Sequence, residues 1–133
     1  MIGYLDFLFL SFRGRIGRTA YWLGTLGLLL AELGAVALLL RLSHGNLGDL
    51  AAFDHDAEAV SQAVLLHVVY PVLIISVLFL YPIYALYAKR WHDRNKSGWW
   101  SLIGFVPLIG GLWLFIELGF LGGDDGQNDY GSR

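Results

Sequence analysis

His92 and Asp93 are the two neighbours in this chain that look most like catalytic machinery. An imidazole can take or give a proton near neutral pH, and a carboxylate can hold it in one tautomer. Arg90 and Arg94 flank them, and guanidinium groups grip phosphate oxygens in a bidentate way. Together the four could act on a lipid headgroup, with His92 as acid or base. Adjacent residues on a helix do not face each other, so a direct relay from His92 to Asp93 is disfavoured. The simpler expectation is structural: Asp93 pairs with an arginine from residues 13–18 and locks two basic segments together. On that reading no residue is catalytic and no cofactor is expected.

Arg13, Arg15 and Arg18 form the other basic segment. They could hold the phosphates of anionic lipid, or only follow the bias of positive charge toward the cytoplasmic side. A third set is apolar in its surroundings: Glu32, His67 and Glu117 lie within greasy stretches. A charge there costs roughly 2.5 to 3.5 kcal/mol on insertion scales, so such residues face protein or line a path. Counting about 1.5 Å per residue puts His67 and Glu117 at matching depth and Glu32 deeper, near Tyr70. They could form a proton or cation path in an oligomer, or a helix–helix hydrogen bond. His44 and His55, with Asp49, Asp54, Asp56 and Glu58, show no recurring ligand spacing, so no metal is expected. Cysteine is absent, which removes thiolate chemistry and disulfides.

The elements that must position these residues are membrane helices. Of 133 residues 56% are hydrophobic and 15% charged, and the mean hydropathy is +0.57. Soluble domains carry about a quarter charged residues. Residues 1–12 are apolar but short of the about 20 needed to span. They lack the positive start and small-residue cleavage site of a signal peptide, and read as an interfacial helix within a segment 1–20 that ends in the basic motif. The first span is expected at 21–40. Its Gly27, Ala31 and Ala35, with Gly24 and Gly34 nearby, make a stripe that lets another helix approach. An acidic exterior loop follows at 41–62. The second span, at 63–88, contains Pro71 and Pro82, which membrane helices tolerate as kinks. Residues 89–98 form a basic loop. The third span is expected at 99–121, bent at Pro107, Gly110 and Gly111, and a polar tail closes the chain at 122–133. Seven Lys and Arg residues fall on one side (Arg13, Arg15, Arg18, Lys89, Arg90, Arg94, Lys96) and two, Arg41 and Arg133, on the other. The N-terminus is therefore expected in the cytoplasm and the tail outside. The fold class is all-α and integral to the membrane, a single domain of three spans.

Three motifs in order resemble a known family. They are Phe12-Arg13-Gly14-Arg15 with Arg18 and Tyr21-Trp22; Arg90 with His92-Asp93 and Ser97-Gly98-Trp99-Trp100; and Gly126 with Asn128 and Tyr130-Gly131. With the Pro107 to Gly110 bend between them, they resemble the small bacterial inner-membrane proteins grouped as domain of unknown function 805. Ala20 stands where that family usually has an acid, Lys89 where it has arginine, Trp91 leucine, and Asp129 a basic residue. The resemblance implies a multi-pass inner-membrane protein and supplies no catalytic residue.

Three functions compete. The first is an accessory protein without catalysis that binds anionic phospholipid, self-associates or assists a membrane-protein partner. The second is a subunit of an oligomeric transporter or ion pathway. The third is a lipid-headgroup enzyme. The first is preferred, and nothing in the chain points to nucleic acid.

Overall fold

The computed structural model describes residues 2–48 and 57–132. Asp49, Asp54, His55 and Asp56 of the expected exterior loop, the side chain of His44, and Arg133 of the tail lie outside the described residues. In chain order the elements are α1 (Ile2–Phe9), α2 (Arg18–Gly48), α3 (Ala57–Val64), a π turn at Leu65–Val69, α4 (Tyr70–His92), a 3-10 helix at Gly98–Phe105, and α5 (Ile109–Gly119). Among the described residues the one β interaction is an isolated antiparallel bridge between Asn128 and Gly131.

Two helical stretches are long and apolar enough to cross a membrane: Arg18–Ser43, of 26 residues, and Ala57–His92, of 36. At 1.5 Å per residue they reach about 39 and 54 Å, against roughly 30 Å of hydrocarbon. The spans expected at 21–40 and 63–88 fall inside them. Leu23, Leu30, Leu73, Val77 and Leu78 along them are all exposed. In water so much open apolar surface would drive aggregation.

The chain divides into two compact units, Leu29–Phe79 on the one hand and Met1–Leu28 with Leu80–Arg133 on the other. In the first, a backbone defect is repaired by a side chain. Pro71 has no N–H to return to the carbonyl of His67, and its ring crowds that carbonyl. The helix widens into the π turn just before it. Ser43 Oγ then donates to the freed His67 oxygen at 3.0 Å. In the same unit Glu32 Oε1 accepts from Ser76 Oγ at 2.9 Å, a hydrogen bond between α2 and α4.

The second unit is built around Leu8, Ile16, Tyr21, Leu86, Trp91, Leu114 and Leu118. The small residue Gly24 lets α2 approach α4: a Cβ there would sit 3.0 Å from a Leu86 methyl. A Cβ on Gly27 would meet nothing, so that part of the stripe has no neighbour within the unit. Gly14 turns the chain between α1 and α2 with φ +89°, and a Cβ there would lie 2.7 Å from the Phe7 ring.

The stretch 99–121, expected as a third span bent at Pro107, Gly110 and Gly111, is divided between two short helices. It is a helical hairpin. The 3-10 arm and α5 pack against each other around a turn at Val106 to Leu108, where Leu108 has φ 64° and is 92% exposed. The arms close so tightly that a Cβ on Gly110 would lie 1.8 Å from the Ile103 carbonyl oxygen. Eight residues at about 2 Å and eleven at about 1.5 Å give arms of roughly 16 Å each, half a bilayer. Pro107 and Gly110 mark the reversal, because Pro107 cannot continue the 3-10 ladder and only glycine admits the carbonyl. Both ends of the hairpin therefore return to residues 89–98. The Trp100 ring lies 6.4 Å from the Trp91 ring, and Leu118 accepts from Arg90. The tail returns as well, with Asp124 N donating to Asp93 O at 2.8 Å beside the basic loop.

Candidate functional site: buried cations at helix ends

The last turn of α4 carries Lys89 and Arg90, and Asp93 follows its end; all three have no exposed surface, and Arg15 beside them is 4% exposed. Three buried cations against one buried carboxylate would be prohibitive in an apolar interior without further partners. Here the partners are backbone carbonyls. A helix leaves its last four C=O groups unpaired, at the negative end of its dipole.

Lys89 Nζ donates to Phe7 O at 2.9 Å, to Leu8 O at 2.7 Å and to Ser11 O. It thus closes the C-terminus of α1. A lysine ammonium has three donors and they meet three oxygens. Arg90 does the same for α5: Nε donates to Leu118 O at 2.8 Å and Nη2 to Leu121 O. Its Nη1 reaches Asp93 Oδ2 at 2.7 Å. Trp22 Nε1 donates to Gly119 O at 3.1 Å and Arg18 Nη1 to Phe120 O at 3.3 Å. Consecutive carbonyls at the end of α5 are thus each held from α2 or α4.

Arg15 organises the tail. Its Nη1 donates to Gly126 O at 2.6 Å and Gly131 O at 2.9 Å, and its Nη2 to Asp124 O at 2.7 Å. The same Nη2 lies 3.2 Å from Asp93 Oδ1. Asp93 is therefore shared by Arg15 and Arg90, one from each basic segment. Gly131 has φ +100°, a conformation glycine adopts freely, and it closes the turn that presents its carbonyl. Asn128 Nδ2 donates to His92 O at 2.8 Å, and Asp124 N to Asp93 O at 2.8 Å.

His92 is apart from Asp93. Its Nδ1 lies 3.1 Å from Gly14 O, and its ring stacks on Tyr130 with centroids 3.9 Å apart. Since a carbonyl only accepts, Nδ1 carries the proton and Nε2 the lone pair in the neutral ring. Glu117 Oε1 lies 2.5 Å from both Arg94 Nη1 and Lys96 Nζ. The expected pairing of Glu117 with His67 is thereby corrected: the hairpin carries Glu117 back to the basic loop. Arg13 is exposed, and its backbone N–H donates to Ser11 Oγ. His67 is exposed, with its carbonyl taken by Ser43. Among the described residues no three His, Asp or Glu side chains gather as a metal site requires.

Residues 9–132 match the family described as Protein of unknown function (DUF805). The chain belongs to this family. It is similar to "Inner membrane protein YhaI" of Escherichia coli K12, 31% identical over 132 residues, covering 97% of this chain and 92% of the relative. "Inner membrane protein YhaH" of the same organism is 27% identical, over 92% of this chain and 86% of its own length. "Uncharacterized protein YiiR" is 29% identical, over 91% and 84%. No solved structure matches the chain significantly.

In this DUF805 chain the three motifs that run apart in sequence converge on one cluster. Arg15 comes from the first, Arg90 and Asp93 from the second, and the carbonyls of Gly126 and Gly131 from the third. Sequence reasoning did not find Lys89 or the carbonyl ligands. The tail motif was the available signal, since its glycine at 131 and its Asn128 serve to shape a turn around a cation.

Proposed function

We propose that this chain is an accessory inner-membrane protein without catalysis, which crosses the bilayer twice and holds anionic phospholipid at its cytoplasmic surface. Residues 2–9 lie in the interface, since eight helical residues reach only about 12 Å and Tyr4, Leu5 and Leu10 are exposed. The two long helices cross, and the hairpin dips to about half depth from the cytoplasmic side. Both termini are then cytoplasmic, which puts the basic segments where positive charge is favoured and keeps the tail beside Arg15. The naming of the relatives YhaI and YhaH as inner membrane proteins supports the location.

The observation that carries the reading is the division of labour among the cations. Arg15, Lys89 and Arg90 are buried and occupied by carbonyls and Asp93, so they hold the structure. Arg13 and Arg18 on the same segment are exposed; Arg18 gives one Nη1 contact to Phe120 O, and its other donors, with the whole guanidinium of Arg13, are available to phosphate. A lipid-headgroup enzyme is disfavoured because His92 spends Nδ1 on Gly14 and Asp93 spends both oxygens on arginines. An ion pathway is disfavoured because Glu32 and Glu117 each have a close partner.

The absence of cysteine permits a direct test. Gln127→Cys, on the exposed tail, should react with a membrane-impermeant thiol reagent only after the inner membrane is opened. Labelling in intact spheroplasts would refute the topology. In native mass spectrometry from mild detergent, Arg13→Gln with Arg18→Gln should lose most of the retained phosphatidylglycerol. Unchanged retention would refute the lipid role.

A further inference from the structure

A cavity of about 510 Å³ opens beside His92, walled by Phe12, Tyr84, Trp99 and Tyr130. Ser101, His92 and Ser97 add polar groups to its wall, and the Ser97 oxygen already accepts from Trp99 N. No Lys, Arg, Asp or Glu lines it, so it is not built for a phosphate or a carboxylate. Ser101 is 2% exposed, and its hydroxyl has no hydrogen-bond partner in the protein. A buried hydroxyl without a protein partner is unfavourable, and a water or a bound molecule in the cavity relieves it. His92 adds an acceptor: its Nδ1 is committed to Gly14 O. Its Nε2 lies 3.5 Å from the point where a Cβ on Gly98 would stand, and Gly98 is part of the same wall.

We infer that this cavity is a binding site for an uncharged, lipid-soluble molecule with a flat ring bearing a carbonyl or hydroxyl, a chemistry shared by quinones, quinols and simple phenolic lipids. The aromatic walls present faces and edges for a ring to stack on. The Ser101 hydroxyl donates to a ring carbonyl or hydroxyl oxygen, and the lone pair of His92 Nε2 accepts from a ring hydroxyl. A pocket of this size, mostly apolar with a few polar groups, is of the kind that takes small ligands. The inference is independent of anionic-lipid binding, since Arg13 and Arg18 are not part of the wall.

The test is equilibrium binding of a short-tailed benzoquinone, its reduced hydroquinone, an alkylphenol and a short-chain diacylglycerol to the detergent-solubilised full chain. Two variants accompany the wild type. Ser101→Ala removes the orphan hydroxyl, so it should melt no lower than wild type without ligand while binding the ring ligands roughly five- to tenfold more weakly, about one neutral hydrogen bond. Trp99→Ala removes a wall residue that is 78% exposed, so folding should survive and affinity should fall at least tenfold. The quinone, hydroquinone and phenol arms identify which ring oxygen is recognised. Equal affinity of all three chains for every ring ligand would overturn the proposal. So would tighter binding of diacylglycerol than of any ring compound, because the site would then read an ester and not a ring.

Discussion

Asp93→Ala removes the one carboxylate shared by Arg15 and Arg90 and leaves two buried guanidinium groups without their anion. Breaking a buried ion pair from one side costs about 3–5 kcal/mol, because the remaining charge stays desolvated. The carbonyls around Arg15 and Arg90 do not replace the lost charge, since they are already engaged. Against a typical total stability of about 5–15 kcal/mol, this is a large fraction. At about 3–4 °C per kcal/mol for a chain of this length, the apparent melting temperature should fall by roughly 10–20 °C. Intrinsic tryptophan fluorescence in detergent can follow it, because Trp22 and Trp91 pack within the same unit. Asp93→Asn keeps the shape and one acceptor and should lose about half as much. Adding Arg15→Met to Asp93→Asn should cost less than the two singles together, since the pair acts as a unit. The control Arg13→Gln, at an exposed position, should stay within about 0.5 kcal/mol of wild type. An Asp93→Ala protein that melts within 2 °C, on the order of half a kcal/mol, of the wild type would refute the idea that this cluster holds the unit together.

Two further outcomes follow from the same geometry. Lys89→Met strips the donor from three carbonyls at the end of α1, so limited proteolysis should cut between residues 9 and 15 well before it cuts the wild type. Gly110→Ala forces a methyl onto the Ile103 carbonyl, whereas Gly27→Ala meets open space. The first should open the hairpin and cost about 1–3 kcal/mol, and the second should be neutral or gain up to about 1 kcal/mol of helix propensity, both read by thermal melting in the same detergent.

The sequence by itself determined what depends on composition and local order. Long apolar blocks made two membrane-length helices, Pro71 and Pro82 notwithstanding, because a helix in an apolar setting keeps its hydrogen bonds within itself. The sorting of Lys and Arg into two short segments was equally plain. Pro107 and Gly110 announced a break, yet a mostly apolar run of 23 residues reads alike whether it passes through or doubles back. Only the packing of α5 on the 3-10 arm decided for the hairpin, and with it the partners of Glu117. Asp93 could be promised an arginine from residues 13–18, but choosing Arg15 over Arg13 and Arg18 took the fold, which buries one and leaves two exposed. The ligands of Lys89, Arg90 and Arg15 were out of reach for a simpler reason. They are mostly backbone carbonyls, every residue has one, and only the ends of helices and the turns of a folded chain leave such oxygens unpaired and facing a cation.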